Sequence, residues 1–397
     1  MRWPAGGPRN AGKCNPQIPH PFHTEDNEIM NRSPLRRGRV VAAAVLIITT
    51  PVALAACGDG GDSGKNSSPT IAYLAPETIT PRYEAIEKPA LTKRLKEICP
   101  DCRLITANAN SDPSQQLQQA ENAIADGAKV IITNPVDSKA AAGIAARAEA
   151  NDVAVISLGR LIQNATVSWS LTMDTIQAGR DKALSLAEAL AEQGHPKGPI
   201  VMINGAPGDT DDAKMKQGAE EVFKEKGVEV AMRFDTPQWD PSKAQQEMDQ
   251  AITALGRDGF FGVYSSNDGM AGGVIAAMKS ANIDPKTRPV TGLDNDVAAL
   301  QRIVTGEQYM TEFQDIVDEA TKAADVALHL GRGEEVPAQY KEATVNNGKM
   351  DVPTYLFEIG PISQKNIKQY FDDKKLDAGK VCTGDFVAAC QKLGITV

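Results

Sequence analysis

The chain has 397 residues, of which 42% are hydrophobic, 23% are charged and only 5% are aromatic. This length exceeds what one ordinary domain needs and allows two sizeable hydrophobic cores. The 51 acidic residues outnumber the 42 basic ones and give a net charge of −9. That balance argues against a protein that binds nucleic acid through a basic surface, and the low aromatic content favours an α/β chain over an all-β one.

The first 56 residues have the pattern of an export signal. A basic segment at 32–39 precedes an apolar run at 40–50 and then the sequence LAAC, which ends at Cys57. This order indicates a secretory signal, and the apolar run is too short for a comfortable membrane span. LAAC resembles the bacterial lipobox, which predicts a lipid-modified Cys57; the alternative is a plain secretory signal with a chance cysteine. We expect translation to start at Met30.

After Cys57, residues 57–69 are rich in Gly, Ser and Asp and predict a flexible tether. Beyond it, short apolar strands alternate with amphipathic helices, which is the pattern of parallel sheets. Strands are predicted at 70–76, 103–109, 129–135, 153–159, 199–205, 228–236, 260–266, 289–295 and 308–314. Helices are predicted at 84–98, 114–127, 138–152, 176–194, 211–227, 242–259, 268–283, 296–307 and 315–333.

The four cysteines that follow Cys57 form two local pairs. Cys99 and Cys102 are three residues apart, and Cys382 and Cys390 are eight residues apart. An even number of cysteines in an exported chain favours disulfides. Three pairings are possible, and we favour the two that close short loops. A redox CxxC motif at the first pair is the alternative, although such a motif normally follows a strand.

Several catalytic and cofactor motifs are absent from the sequence. No strand is followed by GxGxxG, and neither GxxxxGK[ST] nor GxSxG occurs. After Cys57 the chain contains only two histidines, His195 and His329. We therefore expect no cofactor, no metal site and no histidine-based catalysis.

The residues that follow the strands have the character of a sugar-binding site. Sugars are bound by bidentate Arg, Asp and Asn side chains and by an aromatic ring against a C–H face. In an open α/β sheet the ligand lies at the carboxyl ends of the strands. The candidates there are Arg82, Arg160, Asp174, Trp239, Asn267 and Asp294.

Several of these residues also have a purely structural interpretation. The arginines could form surface salt bridges, and Asp294 could cap a helix. Trp239 could be exposed, Trp169 could pack in a core, and the loop GAPGDTDDAK could be an acidic helix start.

From about Thr70 to Ser363 the chain resembles the periplasmic D-xylose-binding proteins, which are type I sugar-binding proteins of ABC importers. The resemblance lies in GRLIQNA, INGAPGDTDDAK, QWDPSKA, SSNDGMAGGVIAAMK, TGLDNDVAALQRIVTGEQYMT and NNGKMDVPTYL. It implies two Rossmann-like lobes with parallel sheets, joined by three crossovers and closing over one sugar.

The resemblance also implies lobe boundaries and ligand contacts. We expect a first lobe at 70–165 plus 314–335, a second lobe at 166–313 plus 336–362, and a C-terminal tail at 363–397. The implied contacts are Arg82, Arg160, Asp174, Trp239, Asn267 and Asp294, with Gln314 at the last crossover. The chain departs from the family pattern at four positions, Gly159 (usually Asp), Met173 (usually Phe), Thr175 (usually Asn) and Gln314 (often Lys). These differences favour a sugar ligand that need not be xylose.

The resulting expectation is a monomeric, lipid-anchored, extracytoplasmic protein that delivers a monosaccharide to an ABC permease and is not an enzyme. The lipid would be its only contact with the membrane. Two alternatives are a sensory protein that presents its sugar to a receptor and a glycan-acting lipoprotein enzyme that uses Asp174 and Asp294.

Overall fold

The computed structural model describes residues 68–396. The predicted signal region, the start at Met30, the lipidation site Cys57 and the first part of the tether lie outside these residues. No helix within residues 68–396 is long and apolar enough to cross a membrane.

The first lobe is built on a seven-stranded sheet. Its strands are β1 (Thr70–Ala75), β2 (Arg103–Asn108), β3 (Ala128–Thr133), β4 (Ala154–Leu158), β5 (Trp169–Thr172), β10 (Ala343–Asn346) and β11 (Asp351–Leu356). The order across the sheet is β10-β11-β5-β4-β3-β1-β2, and only the β10–β11 pair is antiparallel. Its helices are α1 (Lys88–Ile98), α2 (Pro113–Ala125), α3 (Ala142–Glu149) and α9 (Ile316–Arg332).

Both faces of this sheet are covered because its strands are apolar on both sides. Ile71 and Tyr73 of β1 pack with α1 and α9 on one face. Ala72 and Leu74 pack with α2 and α3 on the other. A π-helical turn at Tyr83–Glu87 leads from the end of β1 into α1.

The second lobe has a smaller sheet. Strands β6 (Ile200–Asn204), β7 (Val230–Asp235) and β8 (Gly262–Ser265) are parallel in the order β7-β6-β8, and β9 (Met310–Gln314) pairs with β12 (Ile359–Ser363). The helices are α4 (Thr175–Glu192), α5 (Thr210–Lys226), α6 (Pro241–Leu255), α7 (Asp268–Ser280) and α8 (Val297–Thr305).

The predicted strand at 289–295 is not a regular strand. It makes only two isolated bridges, Val263 to Val290 and Leu293 to Glu312, which connect β8 to β9. The buried Thr291 hydroxyl takes the place of part of the ladder, since its Oγ1 accepts from the Ser265 amide at 2.9 Å and donates to the Ser265 carbonyl at 3.0 Å.

The strand pairing corrects two predicted lobe boundaries. Residues 166–172 and 343–356 were expected in the second lobe, but β5, β10 and β11 belong to the sheet of the first. The physical reason is that β5 adds in parallel to β4 and then offers its other edge to β11, so that backbone pairing decides the lobe of these segments. The crossovers therefore fall at 173–174, 315 and 357–358 rather than at the expected boundaries 165–166, 313–314 and 335–336.

The three crossovers lie side by side. The Phe357 amide donates to the Thr172 carbonyl at 3.0 Å, and the Asp315 amide donates to the Glu358 carbonyl at 3.2 Å. The connections thus form one narrow hinge between the lobes.

The C-terminal tail is helical and packs on the second lobe. It contains α10 (Ile367–Asp372), α11 (Ala378–Val381) and α12 (Val387–Lys392), and its apolar side chains join Leu300, Ile303 and Phe313 in one cluster. The Cys382–Cys390 disulfide lies in this cluster. The Cys99–Cys102 disulfide joins the end of α1 to the start of β2. Both favoured cysteine pairings are therefore present.

Candidate ligand-binding site

A central cavity lies between the lobes, next to the hinge. Six of the seven predicted ligand-binding residues line it: Arg82, Arg160, Trp239, Asn267, Asp294 and Gln314. The first lobe supplies the two arginines, and the second supplies Trp239, Asn267 and Asp294, because the carboxyl ends of the strands of both lobes face this cleft.

Asp174 is the exception. Its side chain is exposed and caps α4 by accepting a hydrogen bond from the Gln177 amide at 2.9 Å. The chain turns into α4 immediately after the first crossover, so the carboxylate is directed to the helix N-terminus rather than into the cavity. Asp174 therefore does not line the cavity, and the enzyme alternative loses one of its two carboxylates there.

Arg82 is buried and held from both lobes. Its Nη2 lies 3.8 Å from Oε2 of Glu87, and its Nη1 lies 3.9 Å from Oδ1 of Asp294. Nη1 also donates to Oε1 of Gln314, at the second crossover. Glu87 is fixed in turn by the Tyr73 hydroxyl, which donates to it at 2.6 Å. Arg82 thus has one orientation and keeps further N–H groups for a ligand.

Arg160, Asp209 and Trp239 form a second buried group. Arg160 Nε lies 2.5 Å from Oδ2 of Asp209, and the same oxygen accepts from the Trp239 indole N–H at 3.2 Å. Burial alone would lower the pKa of Arg160, but Asp209 and neighbouring acidic groups raise it. The Trp239 ring packs on Gly205, where an added Cβ would come within 2.3 Å of the ring. Trp239 is thus a cavity wall and not an exposed side chain.

Asn267 and Asp294 form the polar part of the second-lobe wall. Asn267 caps α7, accepting from the Met270 amide at 3.0 Å, and its Nδ2 donates to Oδ2 of Asp294 at 3.3 Å. Asp294 has a φ of 99°, in a region that residues other than glycine rarely adopt. It does not cap α8; the N-cap residue is Asp296. Burial raises the pKa of Asp294 to about 6, although Arg82 and Asn267 oppose the shift.

Asn134 is a cavity residue that was not among the predicted contacts. It follows β3 and is buried, and neither its amide nitrogen nor its amide oxygen has a hydrogen-bond partner among the described residues. A Cβ at Gly159 would lie 2.6 Å from its Nδ2, so the glycine leaves room for this amide. A buried amide without partners favours a ligand that both donates and accepts hydrogen bonds.

Other lining residues could not be identified individually from the sequence. Tyr83 and Phe357 add aromatic surface, Asp209 is the N-cap residue of α5, and Asp211 lies in the first turn of α5. Asp209 caps α5, as the acidic helix-start interpretation of this loop predicts. Burial, followed by repulsion from Asp209, raises the pKa of Asp211 to about 7.

Trp169 lies in the first-lobe core, as one of its two interpretations predicted. Its indole N–H donates a hydrogen bond to the Tyr340 carbonyl at 3.1 Å.

The lobes touch across the cleft beside the cavity. Besides the Arg160–Asp209 pair, the hydroxyls of Ser138 and Thr210 lie 2.9 Å apart. Within residues 68–396 no group of His, Cys, Asp and Glu side chains is arranged to hold a metal ion. Two lobes joined by a narrow hinge, with a polar and aromatic cavity between them, define a protein that encloses a small polar ligand.

Comparison with known proteins places this architecture in a family. Residues 71–335 match the model of the periplasmic binding protein domain. The D-xylose-binding periplasmic protein of Haemophilus influenzae is 30% identical over 271 residues, covering 67% of this chain and 79% of the relative. The multiple sugar-binding periplasmic receptor ChvE of Rhizobium radiobacter is 28% identical, covering 66% and 78%. The chain therefore belongs to the periplasmic binding protein family.

A solved structure agrees with this assignment. A solute-binding protein of an ABC transporter from Clostridium phytofermentans, with bound β-D-glucose, is 26% identical with a TM-score of 0.69. The match covers 79% of this chain and 99% of that chain. The predicted type I fold and the resemblance to D-xylose-binding proteins are confirmed. The relatives are named periplasmic sugar-binding proteins, so the prediction of a binding protein rather than an enzyme is confirmed as well.

Proposed function

We propose that this protein binds a monosaccharide in the cavity between its lobes and delivers it to an ABC permease from a lipid anchor at Cys57. The observation that carries the proposal is the cavity wall itself: Arg82, Arg160 and Asn134 from one lobe oppose Asn267 and Asp294 from the other, with Trp239 at the side. Relatives named for xylose and for multiple sugars, and a solved structure with bound β-D-glucose, support a sugar ligand.

The proposed ligand resembles xylose in size and in hydroxyl pattern without being restricted to it. Gly159 and Gln314 stand where the xylose-binding pattern usually has a charged side chain, and the unpaired Asn134 amide lies beside Gly159. A neutral amide discriminates between sugar epimers less strongly than a charged group does. A thermal-shift screen of pentoses and hexoses, followed by calorimetry of the hits, tests this; no shift with any sugar would contradict the proposal.

Ligand binding is proposed to favour the closed arrangement of the lobes. A sugar that touches Arg82 and Asp294 together has its full set of contacts only when the cleft is shut, and a ligand shifts a population only through such a difference. Small-angle scattering should give a smaller radius of gyration with the sugar than without it. An unchanged radius for a protein that is open without ligand would contradict the clamp.

The anchor is tested separately from the sugar. Cys57→Ala should move the protein from the membrane fraction to the soluble extracytoplasmic fraction, and mass spectrometry should find lipid on the N-terminal cysteine of the unaltered protein. A variant that stays in the membrane fraction would contradict lipid anchoring. The protein is proposed to act as a monomer, which sedimentation of the soluble variant tests.

The sensory alternative draws on the similarity to a relative that is named a receptor. It predicts that the sugar-loaded protein binds the extracytoplasmic domain of a sensor rather than a permease. Sugar uptake by cells lacking this gene separates the two, because only the transport role predicts lower uptake.

A further inference from the structure

A second cavity, the outer cavity, adjoins the central one at the mouth of the cleft. Its volume is about 300 Å³, and Arg160 and Trp239 line both cavities. The first lobe contributes Glu77 and Val136 to it, and the second lobe contributes Pro207 and Pro237. These two prolines are exposed, so the outer cavity is open to solvent on that side.

Glu77 provides a fixed acceptor in the outer cavity. Its side chain is only 3% exposed. One carboxylate oxygen, Oε2, accepts from the amides of Ile79 and Thr80, the latter at 2.9 Å. The other oxygen, Oε1, is buried and has no hydrogen-bond partner among residues 68–396. A buried carboxylate oxygen without a partner costs free energy until a donor such as a hydroxyl reaches it.

The rest of the outer cavity is largely apolar. Proline rings, Val136 and one side of Trp239 offer surface to the C–H face of a sugar ring, while Glu77 offers an acceptor to its hydroxyls. Arg160 and Trp239 line both cavities, so the cavities are neighbours, and a ligand that occupied both would lie along these two side chains.

We propose that the outer cavity is a second sugar subsite, so that the protein binds a disaccharide, with one unit in the central cavity and the other against Glu77 and Val136. This inference rests on the proposed function, because the central cavity must bind a sugar unit first. It extends the ligand class from a free monosaccharide to a glycoside with a second sugar.

Calorimetry on the protein without substitutions tests the subsite. The probes are a monosaccharide that binds, the methyl glycoside of that monosaccharide, and its disaccharides with α and β linkages. We expect at least one disaccharide to bind about tenfold more tightly than the methyl glycoside, which corresponds to about 1.4 kcal/mol. A phenyl glycoside separates sugar recognition from apolar contact. If the phenyl glycoside exceeds the affinity of the methyl glycoside by as much as every disaccharide does, the assignment of a second sugar unit is wrong.

Two variants locate the effect. Val136→Trp fills the outer cavity. It should abolish the tenfold higher affinity of the disaccharide over the methyl glycoside, while the affinity for the monosaccharide stays within about twofold of its value in the protein without substitutions. Glu77→Gln keeps an acceptor for the backbone amides and should lower disaccharide affinity about fivefold. The matched controls are Ala140→Trp and Glu229→Gln, at exposed positions outside both cavities; neither should change the gain.

The outcomes distinguish the two proposals. If monosaccharides bind but no disaccharide exceeds its methyl glycoside, the subsite is wrong and the proposed function stands. If Val136→Trp weakens monosaccharide and disaccharide binding equally, the outer cavity is not a separate subsite. If no sugar of either kind binds, both proposals fail.

Discussion

Arg160 and Asp209 belong to different lobes, and Nε of the arginine lies 2.5 Å from Oδ2 of the aspartate. Both side chains are buried, and the aspartate also caps α5, its Oδ1 accepting from the Asp211 amide at 2.8 Å. One residue therefore fixes a helix start, orients Trp239 and holds the two lobes together. A charged pair of this kind contributes to the closed arrangement only, since opening the cleft separates it.

Asp209→Asn should shift the protein toward its open form. Asparagine is as good an N-cap as aspartate, so α5 should stay intact while the charge that faces Arg160 is lost. We expect sugar affinity to fall roughly 10- to 100-fold, since losing one partner of a buried charged pair costs about 2–5 kcal/mol, part of which solvent recovers in the open form. Calorimetry measures the affinity, and scattering measures the opening.

The matched control for this change is Asp240→Asn. Asp240 caps α6 by accepting from the Ser242 amide at 2.8 Å, and no ion pair joins it to the first lobe among the described residues. Equal losses of affinity in both variants would mean that losing a negative charge at a helix start, and not losing the pair across the cleft, weakens binding.

Trp239→Phe should weaken sugar binding by about 5- to 20-fold. The smaller ring gives up part of the stacking surface and the N–H that donates to Asp209. Trp169→Phe is the control, because Trp169 is equally buried but lies in the first-lobe core. It should lower the melting temperature and leave the dissociation constant unchanged. An unaltered dissociation constant for Trp239→Phe would remove this ring from the ligand contacts.

Sugar affinity should decrease as the pH falls from about 7 to about 5. Burial raises the pKa of Asp294 to about 6, so its carboxylate takes up a proton in this range and loses acceptor capacity toward sugar hydroxyls. Arg82, Asn267 and the more distant Glu77 and Lys182 act on the same group. Asp294→Asn should bind more weakly at neutral pH but lack the step near pH 6.

A second step is expected near neutral pH from Asp211, which also lines the cavity and has a pKa of about 7. It should persist in Asp294→Asn and disappear in Asp211→Asn. Calorimetry across the pH range measures both steps. A pH profile that neither substitution changes would mean that these carboxylates do not contact the ligand.

Replacing Cys382 and Cys390 together by serine should destabilise the tail. The disulfide closes the wider of the two loops, and such cross-links typically contribute about 2–4 kcal/mol. We expect earlier thermal unfolding and faster proteolysis after residue 363, with sugar affinity unchanged because no tail residue lines the central cavity. The double replacement at Cys99 and Cys102 should cost less, since that loop is shorter. A larger loss there would contradict the loop-length argument.

Sequence patterns predicted where strands and helices lie along the chain better than they predicted the lobe to which each strand belongs. Alternating apolar strands and amphipathic helices are local features, and β1 to β4 and β6 to β8 lie where these features predict. The segments that form β10 and β11 were assigned to the wrong lobe because β11 pairs with β5, about 180 residues earlier in the chain. No local pattern encodes that partner.

The site residues also fall into those that local sequence patterns locate and those that depend on the three-dimensional arrangement. Arg82, Trp239 and Asn267 follow strands or begin helices, so the strand-end rule locates them. Asp174 obeys the same rule but turns to cap α4, which only the geometry after the crossover decides. Phe357 enters the cavity from the third crossover, and its contribution depends on the long-range pairing that the sequence does not reveal.

The position of β10 and β11 in the first sheet also constrains how the chain folds. Strand β5 exposes an unpaired edge until residues 343–356 have been made, although the other strands of that sheet are complete by residue 172. Pairing of this sequence separation is slow, and open strand edges invite association between chains. We therefore expect that the amino-terminal half does not fold as an independent unit. A fragment that ends before residue 343 should aggregate, and adding the missing hairpin to it should restore solubility.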